Sequence, residues 1–260
     1  MIEKIFSVKY TNSNNKIHNV VRILGFKIKF KKKLKRDFSL NSGERQVAQT
    51  TDGIRRDHLC RYEMAINEIQ KNCGNRDALR LLDIFCGNGY GSFILSQKFP
   101  DSKILGIDAS KEAIKFAIKY YKKHNNIKFK QKFFPFKVKK DTYDAIISLE
   151  SIEHIEDDMF FLKTLISALK ENGVLILSTP NDAQMPLKLN PNPYHFRHYL
   201  KEDFIKTLNE HGLSVIKIYG QDAYKIENLY VKGILNEKDM DLKENYDGQF
   251  VLYVCQKAKG

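Results

Sequence analysis

Strand-like and helix-like segments alternate over about a hundred residues in the middle of this chain. Short apolar runs predict strands at 79–85, 103–107, 127–131, 143–149 and 173–178. Apolar residues at helical spacing predict helices at 57–71, 92–99, 111–124, 160–169 and 201–211, and further strands follow at 213–219 and 249–256. Strands joined through helices favour a parallel sheet covered on both faces. The sequence therefore predicts an α/β fold, a doubly wound Rossmann-like sheet of about seven strands.

The positive charge of the chain is concentrated at one end. The net charge is +13, yet eleven basic residues and no acidic one lie between Lys4 and Arg36, so the rest is nearly neutral. This pattern predicts a basic N-terminal extension over 1–41 and a domain over 42–260, and no nucleic-acid partner for the domain. The extension is interpreted as a solvated arm or lysine-blunted edge strand, or as a peripheral contact of residues 4–36 with an anionic membrane face or an acidic partner, with RNA a lesser option.

Part of the extension has the period of a strand. Phe26, Ile28 and Phe30 alternate with lysines, and the stretch 12–15 is a polar turn candidate, which together predict a short hairpin. No run reaches the roughly 18 apolar residues of a membrane span. The four cysteines are scattered without a Cys-x-x-Cys pair, so we expect reduced, mostly buried thiols and a cytoplasmic protein.

The strongest local signal is the segment LLDIFCGNGYGS, residues 81–92. An apolar strand runs into a glycine-rich turn and then a helix, so Gly87 and Gly89 allow a ligand to approach the backbone. Asp108 ends the next strand nineteen residues after Gly89, where a carboxylate can accept hydrogen bonds from a ribose diol. The pair predicts a site for an adenosine-bearing cofactor.

These segments resemble the class I S-adenosylmethionine-dependent methyltransferases from about residue 43 to the C-terminus. LLDIFCGNG resembles the first motif of that family, ILGIDAS the second, YDAIISLESIEHI the fourth-strand motif, and ALKENGVLILSTPN the fifth-strand region. The wider pattern, with STPN and NPYHFRHY, is similar to the branch of bacterial surface-polysaccharide (capsule and lipopolysaccharide) biosynthesis. The resemblance implies that the cofactor is S-adenosylmethionine and the product S-adenosylhomocysteine, with the cofactor half at about 57–180.

The resemblance also implies cofactor contacts for particular residues. Asp83 and the backbone of Gly87 and Gly89 would hold the methionine part, Asp108 the ribose, and Ala109 would border the adenine. Two further contacts are expected: Tyr62 over the methionine end, and Gln131, Lys132 or Phe133 at the adenine. The chain departs from the family pattern at Phe85, where glycine or alanine is usual, and in lacking an acidic residue after the third strand.

The end of the fourth strand of the domain supplies the candidate reaction centre. Glu150 and His154 are the predicted catalytic residues, with His154 as a base because its pKa suits proton removal near pH 7. The alternative for His154 is a structural role in orienting the loop. A divalent metal is a further alternative, with Glu150, Glu153 and His154 as ligands together with His195 or His198.

A Pro- and Asn-rich loop at about 181–200 is the predicted substrate loop. Its aromatic faces and cationic donors suit a sugar ring that carries phosphate or carboxylate. The predicted substrate residues are Tyr194, His195, Arg197 and His198. The alternative is a loop pinned by prolines and packed by its aromatic rings.

The resulting hypothesis is an O-methyltransferase that acts on a sugar or a phosphorylated group, including a phosphoramidate, of a surface polysaccharide or its nucleotide-linked precursor. In the phosphorylated case His154 would position an oxygen that is already anionic. The first alternative is a quinone or lipid O-methyltransferase at the membrane, since SLESIEHI also resembles that branch. The second is a non-catalytic cofactor-binding scaffold. A nicotinamide dehydrogenase is disfavoured because the glycines at 87, 89 and 91 lack the G-x-G-x-x-G spacing.

Overall fold

The computed structural model describes residues 7–13, 16–23, 26–31, 39–40, 45–74 and 78–258. The chain divides into two compact units, Met1–Asp37 and Phe38–Gly260. In the first unit, β1 (Ser7–Ser13), β2 (Lys16–Ile23) and β3 (Phe26–Lys31) form an antiparallel sheet in that order. The predicted alternating segment is β3, and the predicted turn at 12–15 falls partly on β1 and partly on residues 14–15, outside the described residues.

The second unit contains every helix and strand that the sequence predicts for it. Its first half consists of α1 (Arg56–Cys73), β4 (Arg80–Ile84), α2 (Tyr90–Lys98), β5 (Lys103–Asp108), α3 (Lys111–Tyr120), β6 (Ile127–Gln131) and β7 (Tyr143–Ser148). Its second half consists of α4 (Asp158–Ala168), β8 (Leu169–Pro180), α5 (Lys201–Glu210), β9 (Leu213–Gln221), β10 (Tyr224–Glu227), β11 (Tyr230–Ile234), β12 (Lys243–Glu244) and β13 (Phe250–Lys257).

The central sheet has the strand order β12-β9-β13-β8-β7-β4-β5-β6. The five strands from β8 to β6 are parallel, while β13 pairs antiparallel with both β8 and β9. The prediction of about seven strands is corrected to eight because β12 adds a two-residue edge strand, too short to show a period. From β4 the chain continues to one side and from β7 to the other, so a crevice opens where these two strands end.

Two apolar cores lie on the two faces of this sheet. Alternation along the buried strands sends Val174 and Ile176 of β8 to one face and Leu175 and Leu177 to the other. The first core is covered by α1, α2 and α3, and the second by α4 and α5. The sheet is therefore doubly wound, as predicted, and its strand ends are held between rigid layers.

Side-chain caps start two helices where the sequence places them. Ser110 accepts a hydrogen bond from the backbone N–H of Ala113 at the start of α3. Asp157 accepts one from the backbone N–H of Phe160 at the start of α4. Such caps contribute about 1 kcal/mol each to stability. They fix the loops that follow β5 and β7, where the candidate site lies.

All four cysteines are buried and reduced, as expected. Among the described residues, no helix combines the length and apolar character needed to cross a membrane.

Gly91 in α2 is required by the ring of Tyr62. A Cβ atom at Gly91 would lie 1.9 Å from Cζ of Tyr62, which is buried in the first core. We expect Gly91→Ala to destabilise the protein by about 1–3 kcal/mol through overpacking. Thermal unfolding measures this, with Gly233→Ala as the matched control because nothing lies within 4 Å of a Cβ there. Equal melting temperatures for the two variants would contradict the packing described.

Candidate active site

The turn after β4 forms despite the phenylalanine in it. Phe85 adopts φ +58°, a left-handed conformation that favours glycine and costs other residues about 1–2 kcal/mol. Its ring packs edge-on against Phe161 in the second core, with centroids 5.8 Å apart, and this contact offsets the cost. Gly87 and Gly89 follow at φ +55° and +93°. The glycine-rich turn therefore accommodates phenylalanine at a position where glycine or alanine is usual in the family.

Asp108, the predicted ribose ligand, faces this turn at the end of β5. It is buried, and its Oδ2 accepts a hydrogen bond of 3.0 Å from the backbone N–H of Gly87. Its Oδ1 accepts one of 2.7 Å from the N–H of Ser110 and one of 3.2 Å from the Arg45 guanidinium. The carboxylate is thus held in one orientation at the mouth of the glycine-rich turn, as the sequence predicts.

Asp83 lies buried beneath the same turn. Its carboxylate accepts hydrogen bonds from the hydroxyls of Tyr62, at 3.1 Å, and Ser92, at 2.5 Å. Burial raises the pKa of Asp83 to about 7. Tyr62, predicted to contact the cofactor, is placed by the structure as a partner that orients Asp83, with its ring packed in the core.

The predicted adenine contacts lie after β5 and β6. Ala109 is buried, and its carbonyl accepts a hydrogen bond of 3.0 Å from the amide of Gln131. The backbone N–H of Lys132 donates to the carbonyl of Asp108 at 2.9 Å. Phe133 is 52 % exposed, so its ring presents an apolar face to solvent. Gln131 is one of the three alternatives for holding the adenine, and its side-chain amide is already hydrogen-bonded to a backbone carbonyl.

Glu150 follows β7 and is held in a special conformation. Its φ is +45°, and Ser178 both accepts from its backbone N–H and donates to its Oε1, at 2.9 and 2.6 Å. Arg61 of α1 lies 3.6 Å from the same oxygen. Burial raises the pKa of Glu150, opposed by the charge of Arg61. Strained residues of this kind concentrate at functional sites because the surrounding structure must enforce them.

Three further side chains converge beside Glu150. The carboxylate of Glu153 and ring nitrogens of His154 and His195 lie within 4.8 Å of one another. Glu153 is fully buried, and its Oε1 is 4.0 Å from Nε2 of His154. Of the residues anticipated as metal ligands, the structure groups Glu153, His154 and His195, and Glu150 and His198 are not part of this group. Carboxylate and imidazole ligands suit divalent transition ions.

Hydrogen bonds set the tautomers of these histidines. Nδ1 of His198 lies 2.7 Å from the carbonyl oxygen of Met185, so it carries the proton and donates. Nε2 of His198 then accepts from Nδ1 of His195 at 2.8 Å, which leaves the lone pair of His195 on Nε2. His154 likewise donates from Nδ1 to the carbonyl of Tyr194 at 3.3 Å. His154 and His195 therefore each carry their proton on Nδ1.

These groups line a cavity of about 590 Å³. The predicted residues Glu150, Glu153, His154, His195 and His198 belong to its wall. Residues of the predicted substrate loop also line it, namely Met185, Leu189, Asn190, Pro191 and Asn192. The residues of its wall that were not predicted are Arg45, Gln46, Arg55, Asp57, His58, Arg61, Tyr224, Tyr230, Val231 and Phe250.

One signal for the missed residues was present in the sequence. Asp57 and Arg61 lie four residues apart on α1 and are both buried, where charged side chains are rare unless paired or functional. The hairpin of β10 and β11 gave no comparable signal.

Arg197 is placed differently from its prediction as a substrate residue. Its guanidinium pairs with the carboxylate of Asp158 and donates to the carbonyl of Glu156 at 2.8 Å, and it does not line the cavity. Tyr199 donates to the same carboxylate at 2.8 Å. Tyr194 contributes its carbonyl to His154 rather than its ring to the cavity wall. Half of the predicted substrate set therefore anchors the loop, and His195 and His198 face the cavity.

Comparisons with known proteins agree with this arrangement. Residues 75–235 match a family model described as "Methyltransferase domain". A ubiquinone biosynthesis O-methyltransferase of Pelagibacter ubique is 36 % identical over 165 residues, which cover 58 % of this chain and 68 % of the relative. One of the same name from Rickettsia typhi is 33 % identical over 123 residues, 46 % of this chain and 49 % of the relative.

A solved structure shares the fold. It is an S-adenosylmethionine-dependent methyltransferase from Thermotoga maritima, described as a possible histamine N-methyltransferase, with a TM-score of 0.53 and 17 % sequence identity. The aligned residues cover 77 % of this chain and 91 % of the Thermotoga chain. The residues that match the family model include β4 and β7, between which the crevice opens. They also include the glycine-rich turn and Asp108. The chain therefore belongs to the class I S-adenosylmethionine-dependent methyltransferases.

Proposed function

We propose that this enzyme methylates a hydroxyl oxygen on a phenolic precursor of a quinone that carries an apolar side chain. Its relatives named ubiquinone biosynthesis O-methyltransferase support the quinone alternative over the surface-polysaccharide hypothesis. Family membership makes the chain an enzyme and leaves the scaffold hypothesis without its basis, since the turn at Phe85 is intact.

The observation that carries the proposal is the apolar rim of the cavity. Tyr230 and Val231 of β11 line the cavity and are 46 % and 37 % exposed. Leu229 and Ile234 on the same hairpin are also exposed. Asn190 ties this hairpin to the substrate loop through two hydrogen bonds of 2.7 and 2.8 Å, to Leu229 and Val231. A polar cavity with an apolar rim suits a polar ring attached to an apolar chain.

The charges in the cavity favour a neutral acceptor over a phosphorylated one. Two arginines in its wall each face a carboxylate: Arg55 pairs with Asp57 through two bonds of 2.6 Å, and Arg61 lies near Glu150. Paired guanidinium groups contribute little net attraction for an anion. A phosphate would therefore find no net excess of positive charge from Arg55 and Arg61.

The residues of the turn fit S-adenosylmethionine. Asp108 offers a fixed, buried carboxylate, and space remains at Gly87, where nothing lies within 4 Å of a Cβ position. The amide of Asn88 is buried with no hydrogen-bond partner among the described residues, a cost that a polar ligand would offset. Asp108 would hold the ribose and Asp83 the methionine ammonium group. When bound, the cofactor supplies an electrophilic methyl group on its sulfonium.

The protein's own contribution to the reaction is to hold the acceptor and take its proton. Methyl transfer is an in-line displacement, so placing the acceptor oxygen opposite the leaving sulfur supplies most of the rate increase. A phenol has a pKa of about 10, so its proton must be removed near neutral pH. The imidazole rings of His154 and His195, beside the buried Glu153, are placed to do so. Glu150 holds Arg61 at the cavity wall.

The raised pKa of Asp83 predicts pH-dependent cofactor binding. Below a pH of about 7 this carboxyl is largely protonated, so binding the methionine ammonium must first ionise it. Affinity for S-adenosylhomocysteine should therefore rise as the pH increases from 6 to 8. Asp83 also makes the stability of the protein depend on pH. Between the pKa of Asp83 in the unfolded chain and about 7, its contribution to the free energy of unfolding falls as the pH rises, because the native state keeps the proton to a higher pH.

Calorimetric titration at several pH values measures this dependence. The matched control is Asp83→Asn, which removes the titrating group and should flatten the slope. A slope that is the same in both proteins would show that a group other than Asp83 titrates.

The apolar rim predicts a dependence on the acceptor's side chain. The double variant Tyr230→Ser with Val231→Ser should raise KM for a long-chain phenolic acceptor about five- to tenfold, because it removes apolar contact area. For the same ring without the chain, KM should stay within about twofold, since that ring does not reach the rim. Ile118→Ser on α3 is the control, since Ile118 is similarly exposed and does not line the cavity. Equal losses for both acceptors would contradict the assignment of the rim.

A further inference from the structure

Arg45 occupies a hydrogen-bonding position on Asp108, the residue expected to hold the cofactor ribose. Its Nη2 lies 3.2 Å from Asp108 Oδ1, and its side chain is only 14 % exposed. The same residue lines the cavity that contains Glu150 and His154. The segment that carries it is tied to the domain where the hydroxyl of Tyr121 donates to the carbonyl of Ala48 at 2.8 Å. Arg45 therefore lies between the cofactor turn and the cavity.

The hydrogen-bonding capacity of Asp108 sets a limit on what it can hold. An ionised carboxylate offers about four acceptor positions, two on each oxygen. The N–H groups of Ser110 and Gly87 take two of these positions and the Arg45 guanidinium takes a third. A ribose diol donates two hydrogen bonds, and only one position remains for it. One of the three existing contacts must give way when the cofactor binds.

The contact that gives way is the one made by a side chain. The N–H groups of Ser110 and Gly87 are fixed by the start of α3 and by the turn after β4, whereas the Arg45 guanidinium sits at the end of a flexible stem. We propose that Arg45 is a positioning residue that holds Asp108 in the cofactor-free enzyme and is displaced by the cofactor ribose toward the cavity. Arg45 then competes with the cofactor and links the two binding sites.

The displacement has a consequence for the order of binding. Once released from Asp108, the guanidinium adds an N–H donor and a positive charge to the cavity wall. The acceptor oxygen would then meet this donor only after the cofactor has bound, which favours binding of the cofactor first. That the cavity receives the acceptor rests on the function proposed above, whereas the competition at Asp108 does not.

Titration of the full-length protein with S-adenosylhomocysteine tests the competition. We expect Arg45→Ala to bind this ligand about three- to tenfold more tightly than the wild type, because a partly exposed ion pair no longer has to be broken. Arg45→Lys, which keeps the charge, should stay closer to the wild type. In an Asp108→Asn background the effect of Arg45→Ala should vanish, since the two residues act through one contact.

The control is Arg56→Ala, which removes a neighbouring surface arginine that pairs with Glu63 and Asp241 and should leave the affinity unchanged. Unchanged or weaker binding by Arg45→Ala would overturn the proposal, as would an equal gain in the Asp108→Asn background. A merely structural role for Arg45 predicts weaker binding and a lower melting temperature. Because the acceptor takes no part, the result is independent of the acceptor's identity.

Discussion

Replacing Asp108 with alanine should lower the affinity for S-adenosylhomocysteine by about 10²- to 10⁴-fold. The buried carboxylate is expected to accept two hydrogen bonds from the ribose diol, and hydrogen bonds to a charged group contribute about 1.5–3 kcal/mol each. The N–H groups of Gly87 and Ser110 hold this carboxylate at the mouth of the glycine-rich turn, where the ribose is expected. Titration of the variant with the ligand measures the loss.

Two further variants test whether the loss of affinity is specific to the Asp108 carboxylate. Asp101→Ala removes an exposed aspartate from the preceding loop and should leave the affinity unchanged. Asp108→Asn keeps the shape of the side chain, so a loss in that variant as well would exclude a collapse of the turn as the cause. Binding within about threefold of the wild type in both Asp108 variants, with folding intact, would refute the placement of the ribose.

Replacing His154 with alanine should lower turnover by about 10²- to 10⁴-fold while cofactor affinity stays within a few-fold. A positioned base contributes a factor of this size, and the hydrogen bond from His154 to Tyr194 does not involve Asp83 or Asp108. Steady-state turnover and titration with S-adenosylhomocysteine separate the two effects. His124→Ala is the control, since His124 is exposed and stacks on Phe93 away from the cavity. Turnover within about threefold of the wild type would assign His154 the structural role.

The same centre can also activate the acceptor through a cation. A divalent ion held by Glu153, His154 and His195 would polarise the acceptor hydroxyl, and His195→Ala would then be as damaging as His154→Ala. Dialysis against a chelator distinguishes activation by a cation from proton removal by the imidazole rings. Turnover that is lost and then restored by Zn²⁺ or Mn²⁺ would support a cation, whereas turnover that survives would assign proton removal to the imidazole rings alone.

The sequence predicts the fold and the cofactor side of the site because their signals are local. The strand, turn and helix at 81–92 and the aspartate at the end of β5 are each encoded within a few residues, and parallel strand order brings their ends together. Ser110 and Asp157 mark the starts of their helices by their chemistry. Local patterning is therefore sufficient to identify Asp108 and the glycine-rich turn.

The acceptor cavity could not be predicted in the same way because it is assembled from distant segments. Arg61 of α1, His195 of the substrate loop and Tyr230 of the β10–β11 hairpin line one cavity although more than a hundred residues of sequence separate the first from the others. Arg197 shows the opposite error: its residue type suits an anionic substrate, yet Asp158 and Glu156 take up its donors. Which donor faces a ligand and which anchors a loop is decided by packing, and sequence alone does not show it.

The most direct test of the proposed function is methyl transfer itself. Full-length protein, S-adenosylmethionine and a panel of acceptors should be incubated together, and the products identified by mass spectrometry. The panel should contain a catechol with a prenyl chain, the same catechol without it, a nucleotide sugar and a sugar phosphate. We predict a product heavier by one methylene unit from the prenylated catechol at the highest rate, and none with Asp108→Ala. Transfer to the sugars but not to either catechol would contradict the account and return the surface-polysaccharide hypothesis to first place.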